Sequence, residues 1–212
     1  MSSIFKVNTR ANWANLNPVL LPGETAVETQ TNNVKVGDGV SAWSKLPYFS
    51  SPGYWGSFWD ETSQTATANT PTAIYLRQRD TGSRGVRVVS GTRITFDYAG
   101  VYSITFSIQF SNTDSSIHDI NVWLRKNNEG SAGNVPASDS RFSIIARHGN
   151  VDGNVIGCVN FVLPVVANDY LELIWATSDA DAYIHAESAE TSPFAHPSIP
   201  GIICTVVQVA SA

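Results

Sequence analysis

From residue 54 onward the chain alternates. Gly100-Val101-Tyr102-Ser103-Ile104-Thr105-Phe106 and, much later, Asn168-Asp169-Tyr170-Leu171-Glu172-Leu173-Ile174-Trp175 switch between apolar and polar side chains with the period of a half-buried strand. Each run opens on a turn signal. Similar runs follow one another at the close spacing of a sandwich, over residues 54–60, 73–77, 86–89, 93–96, 100–110, 120–126, 141–147, 155–162, 170–176, 182–187 and 202–209. Nothing longer than a turn or two carries the period of an amphipathic helix, and residues 11–16 are the best candidate for one short turn. The pattern predicts an all-β protein.

Ser50-Ser51-Pro52-Gly53 interrupts the alternation and reads as a linker between a small module, residues 1–50, and a larger domain, residues 51–212. A core of some fifty residues is marginal by itself, so the module is expected to lean on other copies or on a larger particle. Within it Pro22-Gly23-Glu24 reads as a turn, Val34-Lys35-Val36 as a strand, and Gly37-Asp38-Gly39 as a tight reversal. Trp13, Trp43 and Tyr48 are expected to cap the small core from outside.

The larger domain has three long polar loops, residues 111–118, 127–139 and 190–200. Long loops on a rigid sandwich are where binding surfaces usually lie. The first two contain little that would build a core, and Asp114, His118, Asn127, Asn128 and Asn134 are their candidate receptor contacts. Residues 127–139 should be mobile if unpaired, and the proline-rich residues 193–200 should run extended across the surface.

Composition sharpens this picture. Hydrophobic residues make up 42% of the chain, enough for a core, but charged residues only 15%, against a usual quarter. Part of the surface is therefore expected to be covered by copies of the same chain. Net charge is −5, with nine Lys and Arg against fifteen Asp and Glu after residue 50, so no basic stripe exists to neutralise phosphates and nucleic-acid binding is not expected. The first residues lack a secretory pattern and the apolar runs are too short to cross a bilayer, which predicts assembly in a cytoplasm without membrane insertion. Cys158 and Cys204 lie in apolar runs and read as two buried, reduced thiols.

Candidate chemistry is sparse. His118, His148, His185 and His196 show no metal-ligand or nucleophile-elbow spacing, and no cofactor is implied. Tyr183, His185 and Glu187 share one strand face, as a ligand groove or, more simply, an exposed or interface face. Asp179 with Asp181, or Glu187 with Glu190, could form the carboxylate pair that glycoside hydrolysis by a polysaccharide depolymerase needs, and nothing places either in a cleft. Gly37-Asp38-Gly39 lacks the rest of a calcium loop. Arg77, Arg79, Arg84, Arg87 and Arg93 are interspersed with Asp80 and Asp97, which suggests a solvated or ion-paired face. The sequence does not read as an enzyme.

Beyond these physical readings, Gly100–Phe106 and Asn168–Trp175 resemble two core strands of the C1q/TNF-like jelly roll. Tyr54-Trp55-Gly56-Ser57-Phe58-Trp59-Asp60, Phe106-Ser107-Ile108-Gln109-Phe110 and Trp123-Leu124-Arg125-Lys126-Asn127 look like bacteriophage proteins carrying that domain. The ordered set Arg10, Trp13, Gly23, Glu24, Lys35, Gly37, Asp38, Gly39, Trp43, Leu46, Pro47 and Tyr48 resembles the N-terminal module of phage tail-fibre and tropism-determinant proteins. The resemblance implies a homotrimeric virion protein: a small N-terminal β-hairpin module attached to other virion proteins through those residues, followed by a jelly-roll β-sandwich head. It places Trp55, Phe58, Tyr102, Phe106, Trp123, Tyr170 and Trp175 in the head's core or trimer interface. It also implies a host-surface polysaccharide or protein as the head's partner, or a purely structural decoration role.

Overall fold

A computed structural model describes residues 5–31, 33–49 and 53–211; the predicted linker residues 50–52 and the first four residues lie outside the described residues. The chain divides between Gly53 and Tyr54 into two units. In the first, β1 (Phe5–Asn8) leads into α1 (Arg10–Leu16), which Thr9 caps by accepting from the Asn12 N–H and which ends on left-handed Asn17. β2 (Thr25–Glu28) then pairs parallel with β1 and antiparallel with β3 (Val34–Val36).

The second unit holds β4 (Trp55–Asp60), β5 (Thr72–Ala73), β6 (Gln78–Arg79), β7 (Val86–Val89), β8 (Arg93–Phe96) and β9 (Gly100–Asn112). After these come β10 (His118–Lys126), β11 (Ser140–Ile144), β12 (Gly153–Val165), β13 (Tyr170–Thr177), β14 (Ala182–Ile184) and β15 (Ile202–Ser211). They form two sheets. One runs β12-β9-β15-β4-β6 with β14 also on β9, and the other runs β11-β10-β13-β8-β7 with β5 on β13. Tyr102, Ile104, Phe106, Ile108 and Phe110 of β9 share one core with Ile120, Val122 and Leu124 of β10 and with Leu171, Leu173 and Trp175 of β13. Each such side chain contributes roughly 1.5–3 kcal/mol by burial.

Register defines the two ends of this sandwich. Trp55, Val207 and Ser103 lie abreast, as do Asp60, Ile202 and Ile108. The chain therefore enters at the end holding Gly100, Val165 and residues 127–134, where Lys126 Nζ donates to Pro164 O. The far end gathers residues 113–117, 145–152, 178–181 and 185–201, tied by Arg147 N to Asp114 O, Thr113 N to Asp181 O, and Gly201 N to Asp60 O.

Several expectations are corrected. The predicted strand over 73–77 is mostly irregular, because a side chain replaces its neighbour: Gln64 accepts from Tyr75 N and donates to Tyr75 O, while Ile74 and Leu76 turn into the core. Ser111 and Asn112 belong to β9 and are buried, so the first long loop is only 113–117. Residues 127–139 are pinned rather than free, by a single 3-10 turn at Ser131–Gly133, by buried Ser138, and by Asn134 accepting from Trp123 Nε1. Residues 193–200 do not run extended; Glu187 pairs with Ile199 and Glu190 with His196, folding the segment into a hairpin. Cys204 is buried, but Cys158 faces outward from β12 and is exposed, because its neighbours Gly157 and Val159 occupy the inward positions.

Gln64 supplies both backbone partners of Tyr75 from a buried position. Gln64→Ala is expected to destabilise the head by about 1–3 kcal/mol, read as a lower urea midpoint with unchanged slope.

Candidate functional site

The residues singled out in the N-terminal module build its own core. Trp13 and Trp43, expected to cap it from outside, are buried within it beside Leu20, Ala26 and Leu46. Their rings stack at 6.1 Å, and Trp13 Nε1 donates to Val27 O. Lys35 is buried too: its ammonium lies 4.0 Å from the Trp43 ring centre and 4.5 Å from that of Tyr48, and donates to Trp43 O. Burial lowers the Lys35 pKa, an effect opposed by the Glu28 carboxylate, which itself accepts from Tyr48 and Thr31.

The glycines serve close approach and turning. A Cβ on Gly37 would sit 2.3 Å from Leu21 O, while Gly23 and Gly39 take positive φ. Asp38 between them accepts from the Val40 and Ser41 N–H groups. Hydrogen bonding from the Ser41 side chain and these amides lowers its pKa to about 2. Glu24 pairs with Lys6. Arg10, Gly23, Asp38, Gly39 and Pro47 are exposed and Glu24 and Tyr48 half-buried, so these seven of the set remain at the surface.

The module's sheet has a second face. Phe5, Thr25 and Val36 lie abreast, as do Val7, Val27 and Val34, on the side opposite buried Ala26, Glu28 and Lys35. That outward face is almost wholly apolar and carries no charge.

The head shows the same contrast on a larger scale. Across β12, β9, β15 and β4 the outward rows are Cys158-Ser107-Ile203-Trp59, Asn160-Thr105-Thr205-Ser57 and Val162-Ser103-Val207-Trp55. No charged residue occurs among them, and Val162 is 59% exposed. The other sheet's outward face pairs Asp119 with Ser143 and Asn121 with Arg141, as a solvated surface does, and sets Arg125 beside buried Glu172. Trp123 stands on this charged face, half-exposed and outside the core; Tyr170 lies on the same face under the Arg93 guanidinium. Phe58, Tyr102, Phe106 and Trp175 are in the core, and Trp55 on the uncharged face.

The candidate receptor residues separate. β10 spans about 30 Å at strand rise, with Asp114 and His118 at its far-end start and Asn127, Asn128 and Asn134 beyond its near-end finish. They cannot form one surface. Asn127 instead braces the near end, donating to Asp169 and accepting from Tyr170 N, while Asn128 accepts from Gly130 N. Burial would raise the Asp169 pKa, but hydrogen bonds from Lys126, Asn127 and Val166 N together lower it. At the far end Asp114 pairs with His118 at 2.8 Å and accepts from Ser115 N. His148, His185 and His196 lie at this end as well, His185 beside Glu187 and His196 beside Glu190. Sequence reasoning missed this grouping, since only the register reveals it.

Among the described residues no group of three or more His, Cys, Asp or Glu side chains is placed to hold a metal ion, and no helix is long and apolar enough to cross a membrane.

Two outcomes follow from the geometry. Lys35→Ala removes one of the two hydrogen bonds to the Trp43 carbonyl and the cation over the Trp43 and Tyr48 rings, and leaves Glu28 without its buried cation, so it should destabilise the module by about 2–4 kcal/mol; calorimetry should show the head's transition unmoved. The hydrogen bond with His118, followed by those from Ser115, holds the Asp114 carboxyl below its usual value. A lowered folded pKa contributes stability that is complete above the unfolded value, near 3.9, and is lost as pH falls through the folded one. Amide protection of residues 113–117 should hold from pH 7 to about 5 and decline below about 4, whereas in Asp114→Asn it should lack this acid-dependent decline.

Residues 4–41 match the family described as the major tropism determinant N-terminal domain. The head is similar to the structure of Eiger TNF from S. frugiperda, with a TM-score of 0.53 at 13% identity over 76% of this chain and 96% of that one. The globular domain of zebrafish complement 1qA protein aligns with a TM-score of 0.46 at 11% identity, over 76% of this chain and 99% of that one. A search of curated protein sequences returns no match. The chain thus joins a segment similar to the major tropism determinant N-terminal domain to a head with a TNF-like jelly-roll fold.

Proposed function

We propose that this protein is a homotrimeric bacteriophage virion protein, anchored to other virion proteins through residues 1–50 and exposing its jelly-roll head to bind a host-surface polysaccharide or protein. The observation that carries the reading is the union of a tropism-determinant-like segment with a TNF-like head in one chain. The two uncharged outward faces support self-association. Interface cores are depleted of charge, and monomers rarely expose large contiguous apolar patches. A face of Ser, Thr, Val, Ile and Trp is removed from water at little cost, whereas each unpaired charge would cost several kcal/mol.

The reading is of a binding protein assembled in the host cytoplasm, not of an enzyme. The carboxylates that might have formed a hydrolytic pair are engaged elsewhere: Glu187 with His185, Glu190 with His196, and Asp179 with the Asp181 N–H. The far end of the head, with its polar loops and four histidines, is the surface assigned to the host.

Purified protein should scatter light as a particle of three times 22.9 kDa. Val207→Glu on the head's uncharged face should reduce it to smaller species. Particles lacking residues 54–212 should assemble and lose adsorption to host cells. A wild-type monomer at micromolar concentration would contradict the assembly; undiminished adsorption without the head would leave a structural decoration role in place of receptor binding.

A further inference from the structure

At the far end of the head, residues 113–117 and the turn between β11 and β12 border an open cavity of about 370 Å³ lined by Thr113, Asp114, Ser115, Arg147 and Gly149. Its walls are held from beneath by Asn112, which is fully buried. Asn112 Nδ2 donates to Ser116 O and Ile145 O, and its Oδ1 accepts from Asp114 N, so one side chain ties both loops together. Arg147 N donates to Asp114 O at 2.7 Å, closing one loop on the other. Gly153 packs so closely beneath the turn that a Cβ there would sit 1.8 Å from Ile145 O. The cavity is preformed, which lowers the ordering cost of binding.

Its size falls within the range of small-molecule sites, about 300–1,000 Å³. Its lining does not: such sites are mostly apolar, and this one is made of hydroxyl, carboxylate, guanidinium and backbone groups. A lining of that kind suits a ligand covered in hydroxyl groups.

Counting donors and acceptors gives the ligand's charge. The Asp114 carboxylate already accepts from Ser115 N and Ser115 Oγ and pairs with His118, so its acceptor capacity is largely used within the protein. Arg147 Nε donates to Gly149 O at 2.8 Å, which fixes the guanidinium plane. Among the described residues its two terminal amino groups have no hydrogen bond or ion pair. The unspent capacity is therefore a fixed fork of donors, the geometry that takes a carboxylate through two parallel hydrogen bonds. Asp181 at the rim, bonded to Thr113, and Asp179 beside it would repel a densely charged polyanion. An isolated carboxylate on a largely neutral sugar chain meets both conditions.

We propose that this cavity binds one carboxylate-bearing sugar unit of a host-surface glycan, with Arg147 clamping the carboxylate and Thr113 and Ser115 facing the sugar hydroxyls. The proposal rests on the host-binding reading and names its ligand class.

The test titrates full-length protein calorimetrically with oligosaccharides containing glucuronate, galacturonate or N-acetylneuraminate, with a neutral glucose oligomer, and with inorganic phosphate. At least one acidic oligosaccharide should bind, and the glucose oligomer and phosphate should not. Arg147→Ala should weaken binding roughly ten- to a hundredfold, the loss expected for hydrogen bonds to a charged group. Arg147→Lys, which keeps the charge without the fork, should lie between, and both variants should melt with the wild type. Binding unaffected by Arg147→Ala, equal binding of the neutral oligomer or of phosphate, or no binding of any acidic oligosaccharide overturns the proposal. Particles carrying Arg147→Ala separate it from the broader reading: normal adsorption by them, with adsorption lost on deleting the head, removes the cavity's role and keeps the head's.

Discussion

Between Tyr102 and Phe110 every second side chain of β9 is fully buried, and those between are Ser, Thr and Gln. This one strand pairs with β12 along its whole length and with β15 and β14 on its other side. Because side chains alternate strictly, a slip of one residue would send five large apolar groups into water and bring the polar set inside. That penalty fixes the register of the whole sheet. The register in turn decides which loops share an end of the sandwich and which residues lie abreast on its outer face. The far-end cavity and the uncharged rows are both consequences of β9.

The outer face of that sheet is unusual in what it omits. A strand face in permanent contact with water carries charge, as β10 and β11 do with Asp119, Arg125 and Arg141. The rows from Cys158 to Trp59 and from Val162 to Trp55 carry none. Small hydroxyl side chains there can hydrogen-bond across an interface or to trapped water, and the Val and Ile residues gain by burial. The same omission recurs in the valine face of the N-terminal sheet. Two separately folded units thus share one property, and low charge in the composition is its trace at the level of the whole chain.

Much of this was legible beforehand because it is periodic. The alternation of Gly100–Phe106 predicted a strand with the correct faces, and that of Tyr170–Trp175 a strand, though one buried on both faces from Leu171 to Trp175; the resemblance of these runs to C1q/TNF-like strands agrees with the TNF-like fold. What escaped was non-periodic. Gln64 stands in for a missing strand partner of Tyr75, and no local pattern announces a side chain acting as backbone. Cys158 sits in an apolar run, yet β12 faces outward at that position, so apolar character did not mean burial. The loops around Asp114 and Asn134 look alike in composition, but β10 lies between them and sets them at opposite ends. Arg147 carried no motif; buried Asn112 and the bond from Arg147 N to Asp114 O bring it beside that loop. In the N-terminal module the Trp13, Lys35, Trp43 and Tyr48 pattern was read as a surface for attachment, and its largest members are the module's interior.

Cys158 lies within the uncharged face, and Cys204 is buried in the core, where burial pushes its thiol up to about 12. Thiol labelling of the native protein therefore reads directly whether that face is covered. If copies of the chain enclose it, neither thiol should react appreciably in the native state and both should react on unfolding. One thiol per chain reacting as fast as in the unfolded protein would show the face open to water and contradict the account.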